Sequence, residues 1–376
     1  MRIAILSMTL GGMSGGYRKY MDNILPLLIS NPIIHGVEIY IPERSAAYIT
    51  NKNNCDIKLI KSHDIYSGYS NLKKRIMKLH PDVVFIPTAQ WIDLDGIPIV
   101  NMVRNMEPLL MWFCKEDLLE SAKNLMRYVA AKRATKKSTR VIAVSEFVRD
   151  FLVNRWQITA NKLAVIYHGI EQKVFWDSET IPPDKLKCFN VGNFRFIFTA
   201  GSIRPARGLE DIIRAFRLVL RTDGNIFLVI GGDTTSRMNS YKKKLMTLSE
   251  EEGISSHVIW AGQLNDYEMR WCYKNCEMLV MTSRVEACPN VALEAMASGC
   301  LIVSTESPPM PEFFDDVALY YKPGAYEDLG VKINELLRWS SGKKQEVRDH
   351  AKIIASKFSW ENCAKNTISE LKKAIE

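Results

Sequence analysis

No stretch of this 376-residue chain approaches the ~20 consecutive apolar residues that a membrane-spanning helix requires. The apolar start, Met1–Met8, is interrupted by Gly11-Gly12, and no small-residue cleavage site follows. It is expected to be a buried first strand rather than a signal peptide. Cysteine is present eight times but never as a CxxC pair, and no His completes a ligand set beside Cys272 and Cys276. Reduced, mostly buried thiols in a cytosolic protein are expected, not disulfides or structural zinc. Neither candidate first strand is followed by GxGxxG, which argues against a nicotinamide oxidoreductase. The turn Gly11–Gly16 has the outer glycines of a Walker A loop, but Tyr17-Arg18 stands where Lys-Ser/Thr would close it, so a nucleoside triphosphate site is not expected. Zinc-finger and RNP signatures are missing, as are short repeats and low-complexity tracts.

What is present is ordinary for a globular protein: 47% apolar and 24% charged residues, in a length that suits two domains. The net charge of +8 is unevenly placed. Residues 1–180 hold 24 of the 50 basic and 17 of the 42 acidic residues, an excess of +7 that leaves +1 for the rest. Six Lys/Arg lie between Arg127 and Arg140. The excess points to an anionic partner for the first half, or to a solvated basic surface.

Short β-branched runs alternate with longer amphipathic segments. Strands are expected at Ile3–Leu6, Val37–Ile41, Ile57–Ile60, Val83–Ile86, Ile99–Val103, Val141–Val144 and Ala164–Ile166, with helices such as Tyr17–Ile29, Leu72–Leu79, Asp117–Thr135 and Glu146–Trp156 between them. Several strands are continuously apolar, as strands covered on both faces must be, so a parallel sheet flanked by helices is expected. Residues 177–190 carry Pro182-Pro183 and no periodicity, which reads as a linker. The alternation restarts at Phe196–Ala200 and continues through Ile226–Ile230, Val258–Ala261, Met278–Met281 and Leu301–Ser304. The expected class is α/β, with two Rossmann-like domains around a cleft, where ligands meet the carboxyl ends of strands.

Three constellations sit at such ends. The glycine-rich turn 11–16 opens a helix, so a backbone approach to an anion is available there, or simply a tight strand–helix turn. Gly201-Ser202-Ile203-Arg204-Pro205-Ala206-Arg207-Gly208 brings two fixed cations to a second helix start, a reasonable diphosphate clamp. Arg284-Val-Glu286-Ala-Cys-Pro-Asn290-Val291-Ala-Leu-Glu294 places one carboxylate in a loop and one early in the next helix. Two carboxylates around one pocket suit a polyol, because ionised carboxylates accept hydrogen bonds from hydroxyls. Glu294 alone could be serving the helix dipole, whereas Glu286 precedes the helix.

The Glu286-x7-Glu294 spacing, followed by Ala295-Met296-Ala297-x-Gly299, resembles the retaining GT-B glycosyltransferases of family 4. Val144-Ser145-Glu146-Phe147, His168-Gly169-Ile170, Gly201–Gly208, Gly231-Gly232-Asp233 and Phe358-Ser359-Trp360 match further family segments in order, over nearly the whole chain. The resemblance implies an acceptor domain over 1–176, completed by a C-terminal helix at 359–376 that crosses back onto it. A linker at 177–190 and a donor domain at 191–358 follow. It implies a nucleoside diphosphate sugar donor, a glycan or lipid-linked glycan acceptor, hexosyl transfer with retention in surface polysaccharide or lipopolysaccharide synthesis, and no cofactor or metal. Glu294 matches the ribose-binding residue, Glu286 the carboxylate at the donor sugar, and Arg207 the cation at the diphosphate. Asn290 and Val291 match backbone contacts to sugar and phosphate, Gly262 and Leu264 border the base, and Gly15 and Gly16 belong to the first loop. Ser202 stands where the family has Arg, with Arg204 as the substitute charge. The family's first-domain His is replaced by the Asn105-Met106-Glu107-Pro108 segment, which makes Asn105 and Glu107 the candidates at the reacting sugar. Asp93-Leu94-Asp95 formally matches a metal-binding DxD but is expected to be a turn. A catalytically silent or nucleic-acid-binding relative is the alternative, weakened by the presence of both Glu286 and Glu294. The basic excess of the acceptor half is expected to serve peripheral contact with anionic lipid on the cytoplasmic membrane face rather than nucleic acid.

Overall fold

The computed structural model describes residues 1–8, 15–43, 56–61, 64, 69–111, 118–177, 179–189, 194–234 and 238–376. Residues Gly11–Ser14 of the glycine-rich turn lie outside them. The chain forms two compact units: Met1–Gly169 with Ser359–Glu376, and Ile170–Phe358.

The first unit is built on β1 (Arg2–Leu6), β2 (Gly36–Pro42), β3 (Asp56–Ile60), β4 (Val83–Ile86), β5 (Ile99–Val103), β6 (Arg140–Ala143) and β7 (Leu163–Val165). They form one parallel sheet in the order β3-β2-β1-β4-β5-β6-β7. The continuous apolar runs explain this choice: every residue of β4 and β5 is buried, as strands with helices on both faces must be. The strand order reverses between β1 and β4, and the crevice at their carboxyl ends is where such sheets bind ligands.

The C-terminal helix Trp360–Ile375 belongs to this unit, packed on the helix Gly15–Ile29 and on β4, β5 and β6. Its stripe Trp360, Cys363, Ala364, Thr367, Ile368 and Leu371 is buried at helical spacing. Ser359 caps it, with its hydroxyl accepting from the Asn362 N–H at 3.1 Å. At its far end the buried Glu370 carboxylate pairs with Arg140 at the start of β6. Gly169 lies against the Ser359-Trp360 backbone, where a Cβ would collide with main chain, so this position admits only glycine. Ser145 similarly caps the helix Glu146–Trp156 through the Val148 N–H at 3.3 Å. Asp93-Leu94-Asp95 is a turn: Asp95 has a φ of 50°, its N–H reaches Asp93 Oδ1 at 3.3 Å, and Lys73 pairs with its carboxylate.

The second unit repeats the architecture with β8 (Phe196–Ala200), β9 (Phe227–Gly231), β10 (Val258–Gly262), β11 (Met278–Met281), β12 (Ile302–Thr305) and β13 (Ala318–Tyr321). These form a parallel sheet in the order β10-β9-β8-β11-β12-β13, which reverses between β8 and β11. The helix Leu209–Leu220 buries Ile212, Ile213, Phe216 and Val219 against this sheet. The strand β13 and the helices Met310–Phe314, Tyr326–Leu337 and Ser341–Ala355 go beyond the expected elements. Three of them have weak signals: β13 and the first of these helices are short, and Ser341–Ala355 buries only Ala351, Ile354 and Ala355; Tyr326–Leu337 buries Leu329, Ile333 and Leu336 at ordinary helical spacing.

Candidate active site

At the strand-order reversal of the second sheet, the carboxyl ends of β8 and β11 face the starts of two helices. The loop after β8 runs through Gly201 and the exposed Ser202 to Arg204, which precedes a tight 3-10 turn at Pro205–Arg207. Arg207 and Glu286 are brought together: Arg207 Nη1 donates to Glu286 Oε1 and, at 3.1 Å, to Ser283 Oγ. Ser283 in turn donates to Glu286 Oε1 at 3.1 Å. Both side chains of the ion pair are mostly buried, 16% and 13% exposed. The guanidinium lies over the Gly201 backbone; a Cβ there would come within 2.8 Å of its central carbon, and Gly201 has a φ of 134°. The glycine therefore makes room for the cation.

The two loops are stitched together below the pair. Thr282 Oγ1 donates to the Arg207 carbonyl at 2.6 Å, and the Arg284 N–H to the Ala206 carbonyl at 2.8 Å. Asp211, buried in the first turn of Leu209–Leu220, accepts from Tyr321 OH at 3.1 Å and the Gly324 N–H at 2.9 Å, and pairs with Arg284 at 3.3 Å. Burial, with the Asp211 carboxylate beside it, pushes the Tyr321 phenol well up.

The helix Asn290–Ala297 starts after Pro289 without a side-chain cap. The positive end of the helix dipole makes that start suitable for an anion. Asn290 and Val291 are half-buried there. Glu294 is buried one turn on, where its Oε2 accepts from Tyr273 OH at 2.9 Å. Burial, and next the Glu294 charge, hold that phenol neutral far above its usual range. Tyr273 was not among the expected site residues; it lies on the separate helix Asp266–Asn275, and no local motif marks it. Gly262 ends β10 with a φ of 80°, its carbonyl accepting from the Gly232 N–H at 2.7 Å, and the buried Leu264 side chain covers Gly231.

In the first unit Gly15 and Gly16 are exposed at the start of Gly15–Ile29. Asn105 is exposed after β5, and its Oδ1 accepts from the Glu107 N–H at 3.1 Å, which fixes the start of the short helix Glu107–Leu110.

Comparison with known proteins matches two family models: "Glycosyl transferases group 1" over residues 186–353 and "Glycosyltransferase Family 4" over 50–173. The lipopolysaccharide 1,2-N-acetylglucosaminetransferase of Salmonella typhimurium is 24% identical over 350 residues, 85% of this chain and 84% of that protein. Among solved structures, Anabaena Alr3699/HepE in complex with UDP-glucose superposes with a TM-score of 0.78 at 17% identity, covering 99% of this chain and 100% of that one. WaaG, a glycosyltransferase involved in lipopolysaccharide biosynthesis, gives a TM-score of 0.71 at 17% identity over 98% of this chain and 99% of its own. The pair of Rossmann-like parallel-sheet domains is thus the GT-B fold.

Proposed function

This chain belongs to the group 1 glycosyltransferases, and from that premise we propose that it moves a hexosyl group, with retention of configuration, from a nucleoside diphosphate sugar to a glycan or lipid-linked glycan acceptor in surface polysaccharide or lipopolysaccharide synthesis. The observation that carries this reading is the Arg207–Glu286 pair beside the start of Asn290–Ala297, at the strand-order reversal of the second sheet. A cation, a helix N-terminus and two carboxylates there suit a sugar diphosphate. In this reading Glu294 accepts from ribose hydroxyls, its second oxygen already held by Tyr273. Asn290 and Val291 present backbone N–H groups, Gly262 and Leu264 border the base, and Gly15 and Gly16 meet the diphosphate from the first unit. What supports the lipopolysaccharide assignment is the Salmonella N-acetylglucosaminetransferase likeness over most of both chains.

Glycosyl transfer with retention proceeds through a transition state in which the sugar gains oxocarbenium character as the diphosphate leaves. Charge stabilisation on the leaving group matters more than a strong base. In the free protein Arg207 is neutralised by Glu286. An arriving diphosphate takes over the guanidinium, and Glu286 is released to orient a sugar hydroxyl. Arg204 adds a second positive charge from the same turn. The leaving diphosphate accepts the acceptor proton on the face of departure, and Asn105 positions the reacting sugar. The test is product stereochemistry by proton NMR with purified protein, donor and acceptor. A product with the donor's anomeric configuration supports the reading; an inverted product overturns it.

No metal takes part in this scheme, because protein cations carry the leaving-group charge. Activity is expected to be undiminished in excess chelator. Loss that manganese restores would assign the charge stabilisation to a metal instead.

Peripheral contact with anionic lipid is part of the same proposal. The helix Leu118–Lys137 leaves Leu125, Met126 and Val129 exposed, and Arg133, Lys136 and Lys137 follow on its solvated side. No helix among the described residues is long and apolar enough to cross a membrane. Each basic residue near an anionic surface contributes about 1 kcal/mol. Replacing Lys132, Arg133, Lys136 and Lys137 by Ser is expected to weaken binding to phosphatidylglycerol vesicles by at least about tenfold. Unchanged sedimentation with vesicles would return the charge to a plain solvated surface.

A further inference from the structure

The loop after β11 holds its carboxylate unevenly. Glu286 receives two donors, Arg207 Nη1 and Ser283 Oγ, and both meet the same oxygen, Oε1. No hydrogen bond among the described residues reaches Oε2, and that oxygen is accessible on a side chain only 13% exposed. A loop built only to satisfy a buried carboxylate would place donors on both oxygens, since each has two lone pairs to fill. Here one oxygen is held and the other is presented.

Ser283 is not placed to touch a ligand itself. It is 3% exposed, its proton goes to Glu286 at 3.1 Å, and its oxygen accepts from Arg207 at 3.1 Å. The backbone on either side of it is tied to the turn Pro205–Arg207: Thr282 Oγ1 donates to the Arg207 carbonyl at 2.6 Å and the Arg284 N–H to the Ala206 carbonyl at 2.8 Å. Val285 and Ala287, which flank Glu286, are buried. The hydroxyl therefore stands on a fixed support and grips the carboxylate from within its own loop.

The two donors to Oε1 differ in what an arriving anion does to them. A diphosphate competes with the carboxylate for the guanidinium, because Arg makes its strongest bonds to phosphate and carboxylate oxygens. Ser283 lies three residues from Glu286 and stays with it. A carboxylate that lost both donors would turn freely about its side-chain bonds. One that keeps Ser283 has one oxygen fixed and the other aimed, and such preorganisation lowers the entropic cost of binding.

We propose that Ser283 is a positioning residue for the transferred sugar: it retains Glu286 through Oε1, and so aims Oε2 at a sugar hydroxyl once Arg207 has turned to the diphosphate. This role rests on the donor site proposed above. Glu294 has a separate holder, Tyr273 OH at 2.9 Å, at the end of the site assigned to the ribose. The two hydroxyls then serve different parts of the donor, which makes them separable by experiment.

The measurement is affinity for UDP-glucose and for UDP, by calorimetry on the full chain; GDP-mannose and GDP take their place if only guanosine nucleotides bind. Ser283→Ala is expected to lose about tenfold in affinity for the nucleotide-sugar, as for one hydrogen bond to a charged group, and under about threefold for the nucleotide alone. Ser283→Thr keeps the hydroxyl and is expected to bind both ligands within about threefold of the wild type. Tyr273→Phe is expected to weaken both ligands alike, because the ribose is common to them. Ser283→Cys, whose thiol is a weak donor, replaces Ser283→Ala if that variant does not fold, with the same split expected. Equal losses for the two ligands in Ser283→Ala would make Ser283 a structural residue and overturn the proposal. A Thr variant that behaves like the Ala variant would overturn it too. If none of these nucleotides or nucleotide-sugars binds the wild type, the donor site itself fails; if they bind and the split at Ser283 is missing, only the positioning role fails.

Discussion

Replacing Arg207 by Ala is expected to lower turnover of the nucleotide-sugar by about 10²–10³-fold, the range found when one preorganised donor to a developing anion is removed. The structure adds a second consequence. Arg207 holds Glu286 and Ser283 in one network, and the Glu286 carboxylate is only 13% exposed. Without its cation that carboxylate is buried and unpaired, so the variant should also be less stable. Removing both partners relieves this: Arg207→Ala with Glu286→Ala should be more stable than Arg207→Ala alone by about 1–3 kcal/mol, yet no more active. Nucleoside diphosphate release and thermal melting of the four proteins in the cycle measure both effects. Near wild-type turnover in Arg207→Ala would remove Arg207 from the leaving-group site. Additive stabilities would remove the pair as a structural unit.

Asp211→Ala is expected to give the largest loss of stability, about 3–5 kcal/mol, the cost of taking one member from a buried hydrogen-bonded charge cluster. The carboxylate is 2% exposed and serves Tyr321 OH, the Gly324 N–H and Arg284 at once. Its removal strands a buried phenol and a backbone N–H and releases the loop that carries Glu286. Arg284→Ala should cost under about 1 kcal/mol, since that side chain is 38% exposed and such pairs contribute little. Urea unfolding of the second unit compares the two. Equal costs would show that the Arg284 ion pair, not the buried hydrogen bonds, holds the loop.

The two sheets are readable in the sequence because doubly covered strands must be almost wholly apolar: β4 and β11 are, and β5 and β8 each carry one polar residue, Asn101 and Thr199. The motif segments of the first unit are readable for a different reason. Ser145 and Ser359 are helix caps, and Gly169 is where the main chain passes closest to the C-terminal helix. Such positions restrict residue type locally, and so they leave a local signature. Arg207 and Glu286 are visible as a cation and a carboxylate at two strand ends, but their pairing is not, because 79 residues separate them and only the sheet order brings them together. Tyr273 and Asp211 are invisible for the same reason: each looks like an ordinary residue of an amphipathic helix, and its role comes from a partner on another element. Arg104 reads as one more basic residue in a basic half. Its stacking over the buried Tyr17 ring is a three-dimensional fact. The hint available in sequence is its place, directly after an apolar strand and before Asn105-Met106-Glu107-Pro108.

In the proposed function the second unit binds a nucleoside diphosphate sugar through Arg207, Glu286 and Glu294. Its most direct test is a donor screen, in which each common nucleoside diphosphate sugar is added to the purified chain and the melting temperature is read. Binding at about 100 times Kd adds ~2.7 kcal/mol to the folded state, a shift of several degrees. One donor is expected to raise the melting temperature of the wild type, and the same donor is expected to leave Glu294→Ala unshifted. A screen in which no donor moves the wild type, or in which Glu294→Ala responds as fully as the wild type, would contradict it.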